Sequence, residues 1–256
     1  MVFKRLFGRT RQKPLREFAV PEGQRVYAIG DIHGRSDLLD KLLMQIVADD
    51  HTRDKAATTL IFLGDLADRG PDSKGVIERM MKLDAIGGSI HFLSGNHEDL
   101  IIRGWNGDTK LAPVLNRAGV RETLASYGVP EETYDALSYD EIIPVMRQAI
   151  PEEHIDFLRS FADWHRIGDY LFVHAGIRPG IPVEDQDPQD LHWIRREFTD
   201  DKSDHGVMVI HGHSITDDVD EWPNRIGIDT GAFASGKLTA IGLEGTERWF
   251  LQTGSE

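Results

Sequence analysis

Apolar positions along the first hundred residues switch repeatedly between short runs and a helical spacing. "RVYAIG" (residues 25–30) is a brief apolar run and predicts a strand. Leu38, Leu39, Leu42, Leu43, Ile46 and Val47 then recur on one helical face, so a helix is expected to about Ala48 with Ser36 as its N-cap. "TTLIFLG" (58–64) predicts a second, buried strand, "SKGVIERMMKLDAIGG" (73–88) an amphipathic helix closed by glycines, and "SIHFLSG" (89–95) a third strand. Strand–helix–strand–helix–strand is the pattern of a largely parallel sheet covered by helices, an α/β fold.

From Trp105 to about Arg166 the strand signals fade and helix formers dominate, which predicts a mostly helical insertion (about 105–165) over one edge of the sheet. "DYLFVHAG" (169–176) and "GVMVIHGHS" (206–214) return to strand. The last stretch, from Asn224 to Thr253, predicts three short strands, antiparallel, with glycine-containing turns. No repeat or low-complexity linker divides the chain, so residues 21–256 are expected to form one domain behind a flexible basic tail, residues 1–20.

Composition narrows the chemistry. The chain has 256 residues, no cysteine and a formal net charge of −14. Without thiols, disulfides and thiolate metal sites are excluded, and any metal must be held by oxygen and nitrogen. The negative balance argues against a nucleic-acid surface. Charges interrupt every apolar run, so no transmembrane segment is expected. The N-terminus lacks an apolar signal region, and a cytoplasmic location is the default expectation. Six of the 29 basic residues fall in the first 16 positions, where Phe3, Leu6 and Phe7 also admit contact with a membrane surface.

The polar residues that follow the predicted strands carry the most information. Asp31 and His33 follow the first strand, and Asp65, Asp68 and Arg69 the second. Asn96 and His97 follow the third, and His174 and His213 close two later ones. Strand ends in an open α/β sheet converge on the ligand crevice, so residues distant in sequence can meet there. Asp31 and His33, two positions apart, point to one side and can grip one cation. Asp65 has two oxygens and can bridge two ions, while Asn96, His174 and His213 add neutral oxygen and nitrogen donors. Such a shell suits manganese first, with iron, zinc, nickel or magnesium also accepted, and two such ions clamp a phosphorus centre for in-line displacement. Gly30, Gly64, Gly95 and Gly212 each precede a proposed ligand, where a crowded backbone must turn. His51, His91, His154, His165 and His205 have no comparable setting and are read as ordinary surface or core residues.

Taken in order, "GDIHGR", "GDLADRGPDS", "SGNHEDL", "FVHAG" and "HGHS" resemble the successive motifs of the calcineurin-like metallophosphoesterases. "LHWIRREF" (191–198) and "IDTGAFASGKLTAIGLEG" (228–245) are similar to the bacterial and phage serine/threonine protein phosphatase branch. The resemblance covers about residues 25–245 and matches the helical segment only loosely. It implies a metallophosphoesterase α/β/β/α sandwich with a mostly helical insertion. It also implies two divalent metal ions, one on Asp31, His33 and Asp65, the other on Asp65, Asn96, His174 and His213. His97 would be the general acid, kept protonated by Asp68, and Arg69 and Arg195 would bind phosphate oxygens. His211 would lie behind the ligands.

The activity so implied is hydrolysis of phosphoserine or phosphothreonine monoesters by direct attack of a metal-bridging hydroxide, on a phosphoprotein or a phosphorylated small molecule. The alternative is a symmetrical dinucleoside tetraphosphate hydrolase using the same metal site. Asp68 in "DRGPDS" leans the expectation toward the protein phosphatases.

Overall fold

The computed structural model describes residues 17–254. Along the chain, β1 (Gln24–Ile29), α1 (Ser36–Thr52), β2 (Ala57–Phe62), α2 (Ser73–Ile86), β3 (Ser89–Phe92) and α3 (Asn96–Trp105) come first. A helical segment follows: α4 (Ala112–Ala118), α5 (Val120–Ser126), α6 (Glu131–Asp135), α7 (Tyr139–Ala149) and α8 (Glu152–Arg159). Next come β4 (Trp164–Ile167), β5 (Tyr170–Val173), α9 (Pro188–Trp193), α10 (Arg196–Thr199) and β6 (Met208–His211). The chain finishes with β7 (Asp220–Glu221), β8 (Arg225–Gly227), α11 (Ala232–Ser235), β9 (Thr239–Glu244) and β10 (Glu247–Gln252).

These strands form two sheets, in the orders β10-β9-β1-β2-β3 and β4-β5-β6-β8-β7. Alternation along each strand explains why the sheets stack. Val26 and Ala28 of β1, Ile61 of β2, and Ile241 and Leu243 of β9 meet Tyr170 and Phe172 of β5, Ile210 of β6 and Ile226 of β8 between the sheets. The intervening residues point outward: Tyr27, Ile29 and Phe62 pack on α1, α2 and α3. On the far side, Leu171, Val173 and Val209 pack on Leu191, Ile194 and Phe198. The result is the expected α/β/β/α sandwich. Both faces of the central strands are buried, which is why they read as unbroken apolar runs in the sequence.

Helices α4 to α8 stand between β3 and β4 as a mostly helical insertion. Its helices pack on α2 and α3, and its end is pinned to the β3 edge, where Ser94 N–H donates to the Ala162 carbonyl at 2.9 Å.

Four expectations change. Helix α1 continues to Thr52, and Arg35 rather than Ser36 occupies its N-cap. The Ser36 hydroxyl instead donates to Asp72, the residue that caps α2 through the Gly75 N–H. The C-terminal strands do not form one antiparallel unit: β8 joins the second sheet parallel to β6, and only β9 and β10 run antiparallel in the first. A turn at Gly231 and the short helix α11 carry the chain from one sheet to the other. Strand β4 begins within the tail of the segment read as helical, too short to leave a periodic signal. Finally, Phe18 and Val20 are buried between the sheets and Val20 N–H donates to the Gly245 carbonyl at 2.8 Å, so residues 17–20 belong to the folded body. The remainder of the expected tail, including Phe3, Leu6 and Phe7, lies outside the described residues.

Candidate metal centre

Every residue singled out after a strand lies at one end of the two sheets. Five non-glycine residues among those described have φ in the left-handed region: His33 (45°), Asp65 (51°), Asp68 (69°), Arg69 (67°) and His213 (61°). Each such residue costs on the order of 1–3 kcal/mol, and such strain persists only where surrounding structure enforces it. Here the enforcement is visible. Ile32 and His33 both donate their N–H to the Asp65 carbonyl, at 3.2 and 2.9 Å, and Gly34 donates to the Leu66 carbonyl at 2.8 Å, lacing the loops after β1 and β2 together.

The flanking glycines serve space more than conformation. A Cβ on Gly30 would stand 2.6 Å from the Ile228 carbonyl oxygen, and one on Gly95 or Gly212 would collide with the Asp65 or Asp31 carboxylate. Of the four, only Gly64 also has a positive φ, 99°.

Asp65 stands at the centre of the cluster. Its Oδ2 lies 3.5 Å from His33 Nε2 and 3.7 Å from His97 Nε2, and its Oδ1 lies 3.4 Å from His174 Nε2. His174 Nε2 in turn lies 3.0 Å from Asn96 Oδ1 and 3.3 Å from His213 Nδ1. His33, Asp65 and His97 thus form one set of converging donor atoms, and Asp65, His174 and His213 another. The outward-facing nitrogens are committed: His33 Nδ1 lies 2.8 Å from the Ala67 carbonyl and His174 Nδ1 2.8 Å from that of Leu63. Donation there leaves each Nε2 lone pair aimed inward, as a metal ligand requires.

Electrostatics points the same way. Burial holds the His33 pKa down to about 3, keeping its imidazole neutral. Burial and His174 likewise push His213 down. Burial alone would raise Asp65, yet His174, His97, His33 and His213 pull it below the ordinary carboxylate range. Asp31 is raised by burial, then by Asp229 and Asp65, and Asp229 is pushed up to about 6 mainly by burial. Three buried carboxylates pressed together beside neutral imidazoles need compensating positive charge. His213 Nε2 is the one buried side-chain polar atom among the described residues with no hydrogen-bond partner. This donor set fits divalent cations.

Beside this cluster, His97 Nδ1 lies 2.6 Å from Asp68 Oδ2, and Arg69 Nη2 stands 3.1 Å from His97 Nε2. Burial opposes charge on His97, but Asp65 and Asp68 outweigh it and raise its pKa. The insertion supports this pair. Thr123 of α5 donates its hydroxyl to Asp68 Oδ1 at 2.6 Å and accepts from the Asp68 N–H at 3.0 Å, while Arg69 N–H donates to the Gly119 carbonyl. Arg195, at the exposed N-cap of α10, is near enough for its charge to help hold His213 neutral.

Two residues went unnoticed in the sequence. Asp229 sits against Asp31 and accepts from the Gly231 N–H at 2.9 Å. Glu98, fully buried, accepts from the backbone N–H groups of Asp65 (2.8 Å), Leu66 (2.9 Å) and Gly95 (2.9 Å), clamping the β2 loop to the start of α3. Each is the acid of a stretch already quoted, "IDTG" and "GNHE", and an acid beside an apolar strand end was the available signal. Asp31 faces Asp229 and the His213 N–H, at 3.1–3.2 Å, and stands outside both donor sets that share Asp65. His211 points away, with Nε2 3.3 Å from Arg225 Nη1. His51, His91, His154, His165 and His205 also lie outside both donor sets.

A symmetrical bis(5'-nucleosyl)-tetraphosphatase of Delftia acidovorans is 33% identical over 159 residues, 60% of this chain and 45% of that protein. The chain therefore spans about half the length of relatives of that type. An asymmetrical bis(5'-nucleosyl)-tetraphosphatase, PrpE, of Anoxybacillus flavithermus is 27% identical over 226 residues, 83% of this chain and 88% of that protein. The crystal structure of a candidate diadenosine tetraphosphatase superposes with a TM-score of 0.61 at 22% identity, covering 93% of this chain and all of the other. A serine/threonine phosphatase of Saccharomyces cerevisiae shares the fold at 14% identity and a TM-score of 0.53, over 90% of this chain and 79% of that one. The sequence profile described as calcineurin-like phosphoesterase matches residues 24–241, and the chain belongs to that family.

Proposed function

We propose that the chain hydrolyses dinucleoside polyphosphates of the bis(5'-nucleosyl) tetraphosphate class, by in-line displacement at phosphorus inside the cluster around Asp65. The observation that carries the chemistry is the shared carboxylate: Asp65 turns one oxygen to His33 and the other to His174. The choice of substrate follows the relatives, above all the PrpE protein matched along 83% of this chain. It moves the balance away from the phosphoprotein expected from the motifs and toward the dinucleotide alternative.

His33, Asp65, Asn96, His174 and His213, with Asp31 at their side, would hold two divalent cations. Ions bound there supply Lewis acidity toward a phosphoryl oxygen and make an attacking water more acidic. Arg69 and Arg195 suit the binding of phosphate oxygens, because a guanidinium matches their geometry and its charge favours the transition state. His97, protonated and oriented by Asp68, would deliver a proton to the leaving oxygen.

One feature favours a second reading. An anhydride leaving group departs as a stabilised phosphate anion and needs little help from an acid, whereas a serine alkoxide needs a proton. The buried Asp68–His97 pair at 2.6 Å is what a monoester substrate would require. Both readings are tested by rates with Mn²⁺ on diadenosine tetraphosphate and on a phosphoserine peptide, with an EDTA control. The proposal expects at least tenfold higher kcat/KM on the dinucleotide. ADP alone as product would mark symmetrical cleavage, and ATP with AMP asymmetrical cleavage. Faster phosphate release from the peptide would overturn the choice of substrate.

A further inference from the structure

A cleft of about 490 Å³ has Ser214, the residue after His213, in its wall. Trp222, Lys202, Asp200, Thr216 and Arg225 also line it. The indole is held in place: its N–H donates to Asp220 at 2.8 Å, and its backbone N–H donates to the Arg225 carbonyl. Yet the side chain is 39% exposed, an aromatic surface presented to solvent rather than to the core. Asp220 does not charge the cleft, since Arg225 Nη1 pairs with it at 2.7 Å. Lys202 Nζ lies 4.7 Å from the centre of the Trp222 ring, and among the described residues it has no carboxylate within salt-bridge distance. In a chain this acidic, an unpaired cation set against an exposed indole in a cleft that includes Ser214 needs a reason.

We propose that this cleft is the subsite for one nucleoside 5'-phosphate arm of the substrate. It takes the nucleobase on the Trp222 ring and the phosphates on Lys202, with Asp200 placed for the ribose hydroxyls. The ammonium over the ring is a resting position. A flexible lysine side chain can swing to an arriving phosphate and leave the ring face free for stacking, an exchange of one cation–π contact for a charged hydrogen bond and a base stack. This inference rests on the dinucleotide reading and adds where the substrate's second half lies.

The test measures inhibition of p-nitrophenyl phosphate hydrolysis by ADP and by pyrophosphate, whose Ki ratio isolates what the nucleoside contributes. Base stacking on one aromatic ring is worth about tenfold or more. The wild type should therefore bind ADP at least tenfold tighter than pyrophosphate. Trp222→Leu should abolish that preference, Trp222→Phe should keep most of it, and Lys202→Ala should weaken ADP more than it changes the p-nitrophenyl phosphate KM. A ratio near one in the wild type, or a preference that survives Trp222→Leu, overturns the subsite. Hydrolysis of diadenosine tetraphosphate by the wild type is scored separately. If it is absent while the ADP preference still depends on Trp222, the dinucleotide reading fails and the subsite stands.

Discussion

Replacing Asp68 by Asn tests the proton-delivery assignment through a single hydrogen bond. The 2.6 Å contact between Asp68 Oδ2 and His97 Nδ1 is fully buried, and a hydrogen bond to a charged group contributes about 1.5–3 kcal/mol. It is one of the contacts that, with Asp65, hold the His97 pKa raised against burial. Asp65, 3.7 Å from His97 Nε2, is left in place. The amide retains the Thr123 contact, so the fold should survive. Without the Asp68 carboxylate the protonated fraction of His97 falls on the alkaline side, and the amide can also reverse the imidazole tautomer. For an alkyl phosphate monoester, kcat should drop about 10²–10³-fold, within the usual range of general acid catalysis. For p-nitrophenyl phosphate, whose leaving group needs no proton, the loss should stay below about tenfold. The sign with pH follows from the raised pKa: His97 is protonated below it and loses its proton as pH rises. The alkaline limb for the alkyl ester should therefore move to lower pH in the variant. Steady-state kinetics on both substrates across pH settles the matter. Equal losses on the two substrates, or an unmoved alkaline limb, would refute the role of His97.

Glu98→Gln must set its amide N–H₂ against at least one backbone donor, least unfavourably the Leu66 N–H that now meets Oε1. Leaving that donor unsatisfied should cost about 1–3 kcal/mol in urea unfolding and weaken Mn²⁺ binding by about tenfold or more in a titration. Arg25, 1% exposed, donates to Asp50 at 2.7 Å, to Glu244 at 2.8 Å and to the Asp54 carbonyl at 2.6 Å. Because both carboxylates are one-third exposed and can rehydrate, Arg25→Ala should cost about 2–4 kcal/mol, read from the urea midpoint. Asp50 would be raised by burial, but Thr58 and Arg25 hold it below its ordinary value, so the stability it contributes is lost as pH falls. The gap between wild type and Arg25→Ala should narrow accordingly below about pH 3.9.

The parts legible in the sequence were those where one residue type serves one physical need. A strand buried on both faces has to be an apolar run, and a polar residue just after it has to be there for another reason. Asp31, Asp65, Asn96, His174 and His213 stand out that way; Asp65, His174 and His213 share one donor set, Asn96 Oδ1 lies 3.0 Å from His174, and Asp31 stands outside it against the His213 N–H. The positive φ of Asp65 and His213 was invisible, because neither residue type signals a left-handed backbone as glycine does. Asp229 was hidden because an acid before Thr-Gly reads as a turn residue until the second sheet brings it against Asp31. Glu98 was hidden because its work is done on backbone N–H groups, which leave no side-chain pattern. Phe18 and Val20, flanked by basic and acidic residues, gave too short an apolar signal to reveal their place between the sheets. The route of β8 into the second sheet was set by long-range pairing with β6, which local periodicity does not encode.

Metal stoichiometry tests the central claim most directly, since everything proposed depends on Asp65 serving two donor sets at once. The purified chain would be equilibrated with Mn²⁺, freed of unbound ion and measured by elemental analysis, beside Asp65→Asn and with circular dichroism as a folding check. Two ions per wild-type chain, falling to one or none in a folded Asp65→Asn with activity lost in parallel, is the predicted result. Two ions retained in the variant, or a wild type that binds none and remains active in EDTA, would contradict it.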